Sequence, residues 1–434
     1  MEAFFLLLLP ELSCIMEKDR WIPGGRKSDK DRVGRTEDMD HSENGNYKSF
    51  EARKRRAKRA IITLAVLILL AGLAAGLLYL YEQENKVYND YETVSVKEKS
   101  SGAAEYTRYR SGAMRVSRDG AEAFDGDGNL LWNVSYTMND PIYEVCEKAA
   151  AVADRAGRSL YIMDGTGSSN PVETLHQIYA IDVANQGVTA VLMTDGADTY
   201  IDLFDIKGTK LVEIKSNANE QGFPVDIALS NDGRKLITSY LIMKDERMTT
   251  QITCYNFDEV GQNYTERIVG VYYYEQKFCP KVEFVNNNTF CVFLDDGMKV
   301  FRMEEIPKEP IFEKEFAQEI ESVFYNESYI GLVLACEDGS ARYQMEVYDL
   351  AGNQVLAKDL NDKYTEILVT EDEIIYYDNL NVVITKLNGM EKFRYQFSTN
   401  IDFFFPGGSS RKYLMAADEE IRMIELSQKK EETK

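Results

Sequence analysis

One stretch of the chain combines residue types that bind calcium in many proteins. Asp125, Asp127 and Asn129 stand at the spacing of the first three oxygen ligands of a calcium loop. Such a loop next needs a glycine and later a bidentate glutamate, but Leu130 and Tyr136 occupy those positions. Gly-Asn between two apolar runs is instead typical of a hairpin turn. We therefore predict a turn at this stretch and no metal site.

The histidines and cysteines offer little metal or redox chemistry. His41 precedes a long apolar segment and His176 follows it, so the two cannot share a zinc site. The cysteines beyond that segment are odd in number and lack Cys-x-x-Cys spacing; they are Cys146, Cys254, Cys279, Cys291 and Cys336. We predict small core residues, with a bridge between Cys279 and Cys291 left open.

No motif marks the chain as an enzyme. It has no Gly-x-Ser-x-Gly, no phosphate loop and no His-Glu-x-x-His. Catalytic residues and a cofactor are therefore not predicted. Paired carboxylates acting on a glycan are the alternative, because the acids of glycosidases are recognised by their separation in space. Aromatic runs at 272–274, 376–377 and 403–405 can stack on sugars, although strand propensity favours a packing role.

Charge is distributed unevenly along the chain. The net charge is −22, and residues 82–434 carry 36 Lys and Arg against 61 Asp and Glu, a net of −25. Because phosphate binding needs a basic surface, this acidic part is not expected to bind nucleic acid. Its charge favours a cationic or metal-bridged partner, attracted over a range that shrinks as salt rises.

Residues 60–81 form an uncharged apolar run of 22 residues. As a helix it would be about 33 Å long, roughly the thickness of a bilayer core. Glu82 and Glu84 follow it and six basic residues precede it, so the positive-inside rule predicts a cytoplasmic N-terminus. These membrane-orienting residues are Arg53, Lys54, Arg55, Arg56, Lys58 and Arg59. A cleaved signal peptide usually has a shorter apolar core, so we predict an uncleaved signal anchor.

Two glycines lie one helical turn apart in the predicted anchor. Gly72 and Gly76 form a Gly-x-x-x-Gly step beside Ala71 and Ala75. Small residues at this spacing let two membrane helices approach closely. The pattern predicts a helix contact at Gly72 and Gly76, and through it a possible homodimer.

The rest of the chain alternates short apolar runs with turn signals. From about residue 106 to 427, runs rich in Val, Ile, Tyr, Phe and Thr are separated by Asp-Gly, Asn-Gly or Gly-Asn. Similar units return about every 36 to 50 residues, the spacing of propeller blades. The pattern predicts an all-β fold, a seven- or eight-bladed β-propeller preceded by a single transmembrane α-helix, in which one N-terminal strand closes the ring.

These observations define the expected domains. They are a basic, disordered cytoplasmic tail over 1–59 whose true start is possibly Met39, an anchor over 60–81, a stalk over 82–105, a propeller over 106–427 and a charged tail over 428–434. A β-sandwich is the rival for the large domain, but so many short strands exceed the length of one sandwich.

Two runs resemble the repeats of known propellers. Residues 222–236 look like the strand, turn and strand of WD40-like and TolB-like propellers, and residues 124–132 resemble the Asp-Gly-Asn-x-x-Trp hairpin of quinoprotein-like repeats. With its anchor and the runs at 132–136, 151–154 and 224–230, the chain is similar to the domain-of-unknown-function family DUF5711, membrane-anchored propeller-like proteins of Gram-positive anaerobic bacteria. The resemblance implies the fold and the anchoring, and it brings no catalytic residues.

The sequence thus favours a membrane-tethered binding or scaffolding module over an enzyme. We expect a single-pass protein of the cell membrane, its N-terminus in the cytoplasm and its propeller outside. The expected partner, besides the lipid bilayer, is an envelope protein or a cell-wall component. A surface-anchored enzyme that uses carboxylates to cleave glycans is the alternative.

Overall fold

A computed structural model describes residues 43–98, 102–244, 246–336, 339, 341–418 and 420–429. The chain divides into two compact units, residues 1–80 and residues 81–434. Met39, His41 and the rest of the tail before residue 43 lie outside the described residues.

Helix α1 spans Glu43–Glu84 and contains the predicted anchor. Its segment Lys58–Tyr79 has a mean hydropathy of 2.8, and the window is long and apolar enough to cross a membrane. The helix begins well before residue 60, inside the tail that was predicted to be disordered. Ala, Glu, Lys and Arg are strong helix formers, so the basic run extends the apolar helix instead of interrupting it.

The anchor presents apolar side chains outward. All described side chains from Lys58 to Tyr79 are exposed. A Cβ placed on Gly72 or Gly76 would meet no atom within 4 Å. Within this unit, both glycines are therefore open to a second helix, as the predicted helix contact requires.

Eight antiparallel four-stranded sheets form an eight-bladed propeller, which decides between the seven and eight blades predicted. The first four blades contain β2–β5 (Glu105–Tyr109, Gly112–Ser117, Gly120–Phe124, Leu130–Ser135), β6–β9 (Pro141–Cys146, Ala149–Asp154, Ser159–Met163, Ser169–Glu173), β10–β13 (Gln177–Val183, Thr189–Asp195, Asp198–Phe204, Lys210–Asn217) and β14–β17 (Phe223–Leu229, Lys235–Lys244, Arg247–Asn256, Ile268–Glu275).

The other four blades follow the same plan. They contain β18–β21 (Lys281–Asn286, Thr289–Leu294, Gly297–Arg302, Phe312–Glu315), β22–β25 (Ile320–Tyr325, Tyr329–Ala335, Tyr343–Asp349, Gln354–Leu360), β26–β29 (Glu366–Val369, Glu373–Tyr377, Asn381–Lys386, Glu391–Gln396) and, in blade 8, β30–β32 (Ile401–Pro406, Lys412–Ala417, Glu420–Ser427) with β1 (Asp90–Glu98). Short helical turns lie at Ala218–Gln221 (α2), Gly261–Asn263 and Thr265–Arg267.

An N-terminal strand closes the ring. Strand β1 pairs antiparallel with β32, so blade 8 joins the two ends of the domain. The stalk predicted over residues 82–105 is therefore wrong for residues 90–98. As the outermost strand, β1 leaves Val94 and Val96 half exposed, and such a strand lacks the strong apolar signal of a buried one.

A single turn type connects the third and fourth strands of several blades. In blade 1 the Asp125 carboxylate accepts hydrogen bonds from the backbone N–H groups of Asp127 (2.9 Å) and Asn129 (2.8 Å), and Gly128 has φ +79°. Asp164, Asp205 and Asp349 begin the same turn in blades 2, 3 and 6. Only glycine adopts this left-handed backbone without strain.

Apolar clusters between neighbouring blades form the core. Tyr109 and Trp132, for example, pack edge to face at 5.6 Å in the cluster shared by blades 1 and 2. Cys146, Cys254, Cys279 and Cys291 have free thiols, and the last three are buried. The bridge considered between Cys279 and Cys291 is not formed.

Candidate functional site in the central channel

The first strand of each of blades 1 to 7, and β30 in blade 8, lines the centre of the ring. Contacts between these strands link neighbouring blades, as between β6 and β10, β10 and β14, β14 and β18, and β22 and β26. In a propeller the strands that meet in this way surround a central channel. Side chains on their inner edges therefore face the channel.

Four carboxylates from four consecutive blades converge in this channel. Glu144 lies on β6, Asp182 on β10, Asp226 on β14 and Glu283 on β18. Side chains alternate between the two faces of a strand, so Glu144 lies on the same face as Ile142 and Cys146. These two residues pack against blade 3. The four carboxylates lie close enough to interact: besides burial, the charges of Glu283 and Asp226 raise the pKa of Glu144, and those of Glu283 and Glu144 raise the pKa of Asp182.

Three of these carboxylates are tied to the next blade by hydrogen bonds. Asp182 accepts from the backbone N–H of Leu229, and Asp226 accepts from that of Val282 at 2.9 Å. Glu283 accepts from the Tyr325 hydroxyl at 2.7 Å. The bonds step around the ring from blade 3 to blade 6, and they fix these side chains as parts of the interfaces between blades.

Lys281 supplies the positive charge of the cluster. Its Nζ lies 3.1 Å from a carboxylate oxygen of Glu283 and 3.7 Å from one of Asp226. Burial alone would lower the pKa of Lys281, but Glu283, Tyr325 and Asp226 outweigh it and raise the pKa well above its usual value. The lysine is therefore fully charged at neutral pH.

Glu144 differs from its three neighbours. Its carboxylate accepts no hydrogen bond from any of the residues that the structure describes. Burial raises the pKa of Glu144 to about 7, Lys281 opposes the rise, and Glu283 and Asp226 reinforce it. A carboxylate so placed keeps its oxygens available for a ligand.

Burial also raises the pKa of the neighbouring acids. The pKa of Asp226 rises to about 6, despite Lys281 and the hydrogen bond from Val282. The pKa of Asp182 lies well above its usual value because of burial and the charges of Glu283 and Glu144. As the pH rises through neutrality, Asp226 and then Glu144 lose their protons.

A cavity of about 460 Å³ opens beside this cluster, at the end of the channel where the inner strands begin. Its walls include five acidic residues, Glu105, Asp140, Glu144, Asp182 and Asp226, and two basic ones, Arg155 and Lys281. An adjoining cavity of about 320 Å³ shares Glu105 and Tyr143 with it and adds Glu366 and Asp402. We call these two cavities together the acidic mouth.

The opposite end of the channel has a mixed charge. A cavity of about 710 Å³ there is lined by Arg108, Arg110 and Lys148 as well as by Glu147, Glu327, Glu371 and Asp372. Opposite charges interspersed in this way largely cancel at a distance. The acidic mouth is therefore the strongly charged end.

Two aromatic rings stand at the acidic mouth. Tyr179 lines the 460 Å³ cavity, and its ring meets that of Phe223 edge to face at 5.6 Å. Tyr179 is 40% exposed and Phe223 39%. Exposed aromatic rings beside carboxylates offer both apolar contact and a π face to a cation.

Most residues singled out from the sequence lie elsewhere. Asp125 and Asn129 form a structural turn, where hydrogen bonds from Asn129 and Asp127 outweigh burial and lower the pKa of Asp125. His176 stacks on Tyr200 at 4.1 Å, with its Nδ1 3.4 Å from Asp195. Among the described residues, no group of three acidic, cysteine or histidine side chains is arranged to hold a metal.

The aromatic runs belong mainly to the core. Tyr376, Tyr377, Phe403, Phe404 and Phe405 are buried. In the run at 272–274, only Tyr273 is strongly exposed, at 62%. The packing role that strand propensity favoured is the one the fold assigns to these residues.

Sequence reasoning missed the channel carboxylates. The available signal was a single acidic residue within an apolar strand near the start of successive units, as in Ile142–Cys146 and Ile178–Val183. In a strand with one solvated face such an acid marks the exposed side. Only ring closure turns those exposed sides toward one another.

Comparison with known proteins agrees with this fold. Residues 84–426 match the model of a family of unknown function, DUF5711, as the resemblance had suggested. No curated protein matches the chain in sequence.

Several solved structures align with the chain at low sequence identity. BamB from Moraxella catarrhalis aligns with a TM-score of 0.47 and 12% identity, over 78% of this chain and 100% of that one. The Pan2 WD40 domain of Neurospora crassa aligns with a TM-score of 0.41 and 8% identity, over 68% and 90%. Likeness at this level concerns the propeller fold alone.

Proposed function

We propose that this chain, which belongs to the DUF5711 family of unknown function, is a membrane-tethered extracytoplasmic propeller that binds a partner at the cell envelope. The apolar helix supplies the tether, and the basic residues before it favour a cytoplasmic N-terminus. The propeller then presents its acidic mouth outside the cell.

One observation carries the choice of binding over catalysis. Asp182 and Asp226 accept hydrogen bonds from the backbone of the next blade, and Glu283 is held by Tyr325 and Lys281. These hydrogen bonds hold the three carboxylates in fixed positions, so the carboxylates shape a charged recess. A rigid recess of fixed charge is suited to recognition.

The carbohydrate-active enzyme remains a second candidate because of Glu144. A carboxyl whose pKa is raised to about 7 has the property that a general acid needs. In that case Glu144→Gln would abolish turnover of a glycan substrate. The binding proposal expects no turnover by either form.

Protease treatment of intact cells tests the tether and its orientation. Added protease should remove an epitope placed after residue 429 and spare one placed at the N-terminus, because only the propeller lies outside. Permeabilised cells are the control and should lose both epitopes. Protection of the C-terminal epitope in intact cells would overturn the proposed orientation.

A further inference from the structure

We propose that the acidic mouth binds the ammonium or guanidinium group of a lysine or arginine in a basic peptide segment, with Glu144 as the charged acceptor. The inference rests on the proposed function and names the chemistry of the partner. It depends on a cavity, an unpartnered carboxylate, an internal ammonium group and an aromatic rim.

The charge of the mouth is not balanced by its own residues. Five acids and two bases line the 460 Å³ cavity, and the adjoining cavity adds acidic residues and no basic one. Arg155 lies 3.8 Å from Asp140, while Lys281 serves Glu283 and Asp226. An added cation would therefore reduce repulsion among the remaining carboxylates.

Glu144 marks where that cation belongs. Asp182, Asp226 and Glu283 each accept a hydrogen bond from the next blade, and the Glu144 carboxylate has none among the described residues. Glu144 is partly buried, so its carboxylate is open to a ligand, and a charged donor would supply the bond that the next blade does not.

Lys281 shows what kind of group the recess accommodates. It holds an ammonium between two carboxylates at 3.1 and 3.7 Å. A second ammonium beside Glu144 would repeat that arrangement. A metal ion fits less well, because among the described residues no three acidic, cysteine or histidine side chains are arranged so that they could hold one ion together.

The rim explains why the cation would be part of a peptide. Tyr179 and Phe223 present half-exposed rings where a side chain would enter. The aliphatic part of a lysine or arginine packs well on such rings. The adjoining cavity extends the acidic surface past Tyr143 to Glu366, so a segment with more than one basic side chain matches it better than a single amine.

Binding should strengthen as pH rises from about 6 to 8. The pKa of Glu144 is about 7 and that of Asp226 about 6, so both become more charged over this range. The other charged or titratable groups around Glu144 are Glu105, Asp140, Tyr143, Arg155, Tyr179, Asp182, Lys281, Glu283 and Tyr325. Lys281 stays protonated, so the cluster as a whole becomes more negative.

The test uses the full-length protein in detergent and a fluorescent, end-blocked peptide, Lys-Gly-Lys-Gly-Lys, with Gln-Gly-Gln-Gly-Gln as its neutral analogue. At low salt and pH 8 we expect saturable binding of the lysine peptide only. Glu144→Gln should weaken it about tenfold, which corresponds to about 1.4 kcal/mol. Tyr179→Ala should weaken it about threefold.

Glu371→Gln is the matched control, because this exposed acid lies at the opposite end of the channel. It removes the same charge from the protein and should leave the affinity unchanged. Equal losses for Glu144→Gln and Glu371→Gln, or no loss for either, would overturn the site.

Two competitors separate the remaining occupants. If spermidine binds as tightly as the peptide and loses as much affinity in Glu144→Gln, the ligand of the site is a small polyamine and not a peptide. If calcium displaces the peptide at an ionic strength where NaCl does not, the ligand of the site is a metal ion. Absence of peptide binding, with the propeller still accessible to protease on cells, would refute this site and leave the tethered module standing.

Discussion

Two lysines of the propeller differ in how well their charge is matched by neighbouring carboxylates. Lys392, on β29, lies 2.6 Å from Glu373 and 2.8 Å from the Tyr413 hydroxyl, and its Nζ also donates to the carbonyl of Ser410. Here one cation meets one anion, and their side chains are only 6% and 9% exposed. Lys281 instead meets several carboxylates at the edge of an open cavity, and its side chain is 33% exposed.

The difference follows from what each site does. The Lys392 group joins blade 7 to Tyr413 of blade 8, the blade completed by β1, and every charge in it is matched. A buried pair of this kind resists the loss of either member. The Lys281 group has surplus negative charge and keeps contact with solvent, as a binding recess requires.

The largest expected effect comes from breaking the balanced pair. Lys392→Met leaves Glu373 buried without its cation, so the free energy of unfolding at pH 7 should fall by about 3–5 kcal/mol. Chemical denaturation measures it. Lys207→Met, at an exposed lysine, is the control and should change stability by less than about 0.5 kcal/mol. Losses of similar size in both variants would show that the buried pair of Lys392 and Glu373 contributes no more to stability than an exposed lysine does.

Removal of the channel lysine should have a smaller effect that depends on pH. Lys281→Met leaves Glu283 and Asp226 without their cation, but Asp226, whose pKa is already raised to about 6, can take up a proton as the pH falls. We expect a loss of about 2–3 kcal/mol at pH 8 and little loss at pH 5. Denaturation curves at both pH values check this. A loss independent of pH would mean that Lys281 acts through packing alone.

Glu144→Gln should stabilise the protein. Because the folded pKa of Glu144 is about 7, above its usual 4.5, the native state holds this proton more tightly than the unfolded chain. Stability from this group therefore falls as pH rises from about 4.5 to 7. The amide removes that decline, so we expect a gain of about 1–2 kcal/mol at pH 8 and none at pH 4. Melting curves across this range that match those of the unchanged protein would contradict the raised pKa.

Much of the architecture follows from local sequence. The apolar run at 60–81 is long enough to be read without a structure, and Asp-x-x-Gly turns such as Asp205–Gly208 and Asp349–Gly352 mark hairpins by their backbone requirements. An N-terminal closing strand was predicted, but its place at residues 90–98 was not, because an outermost strand is polar on much of its surface and β1 pairs with β32, more than 300 residues away.

The sequence by itself determined an apolar helix of membrane-spanning length, a strongly acidic domain and a series of short strands with tight turns, because these depend on residue type and near neighbours. Tertiary structure decided the number of blades, the position of the closing strand and the meeting of Glu144, Asp182, Asp226, Lys281 and Glu283. These five residues come from four strands in four blades, with Lys281 and Glu283 on the same strand. Only closure of the ring brings their charges within interacting distance, and with it the raised pKa values and the free carboxylate of Glu144.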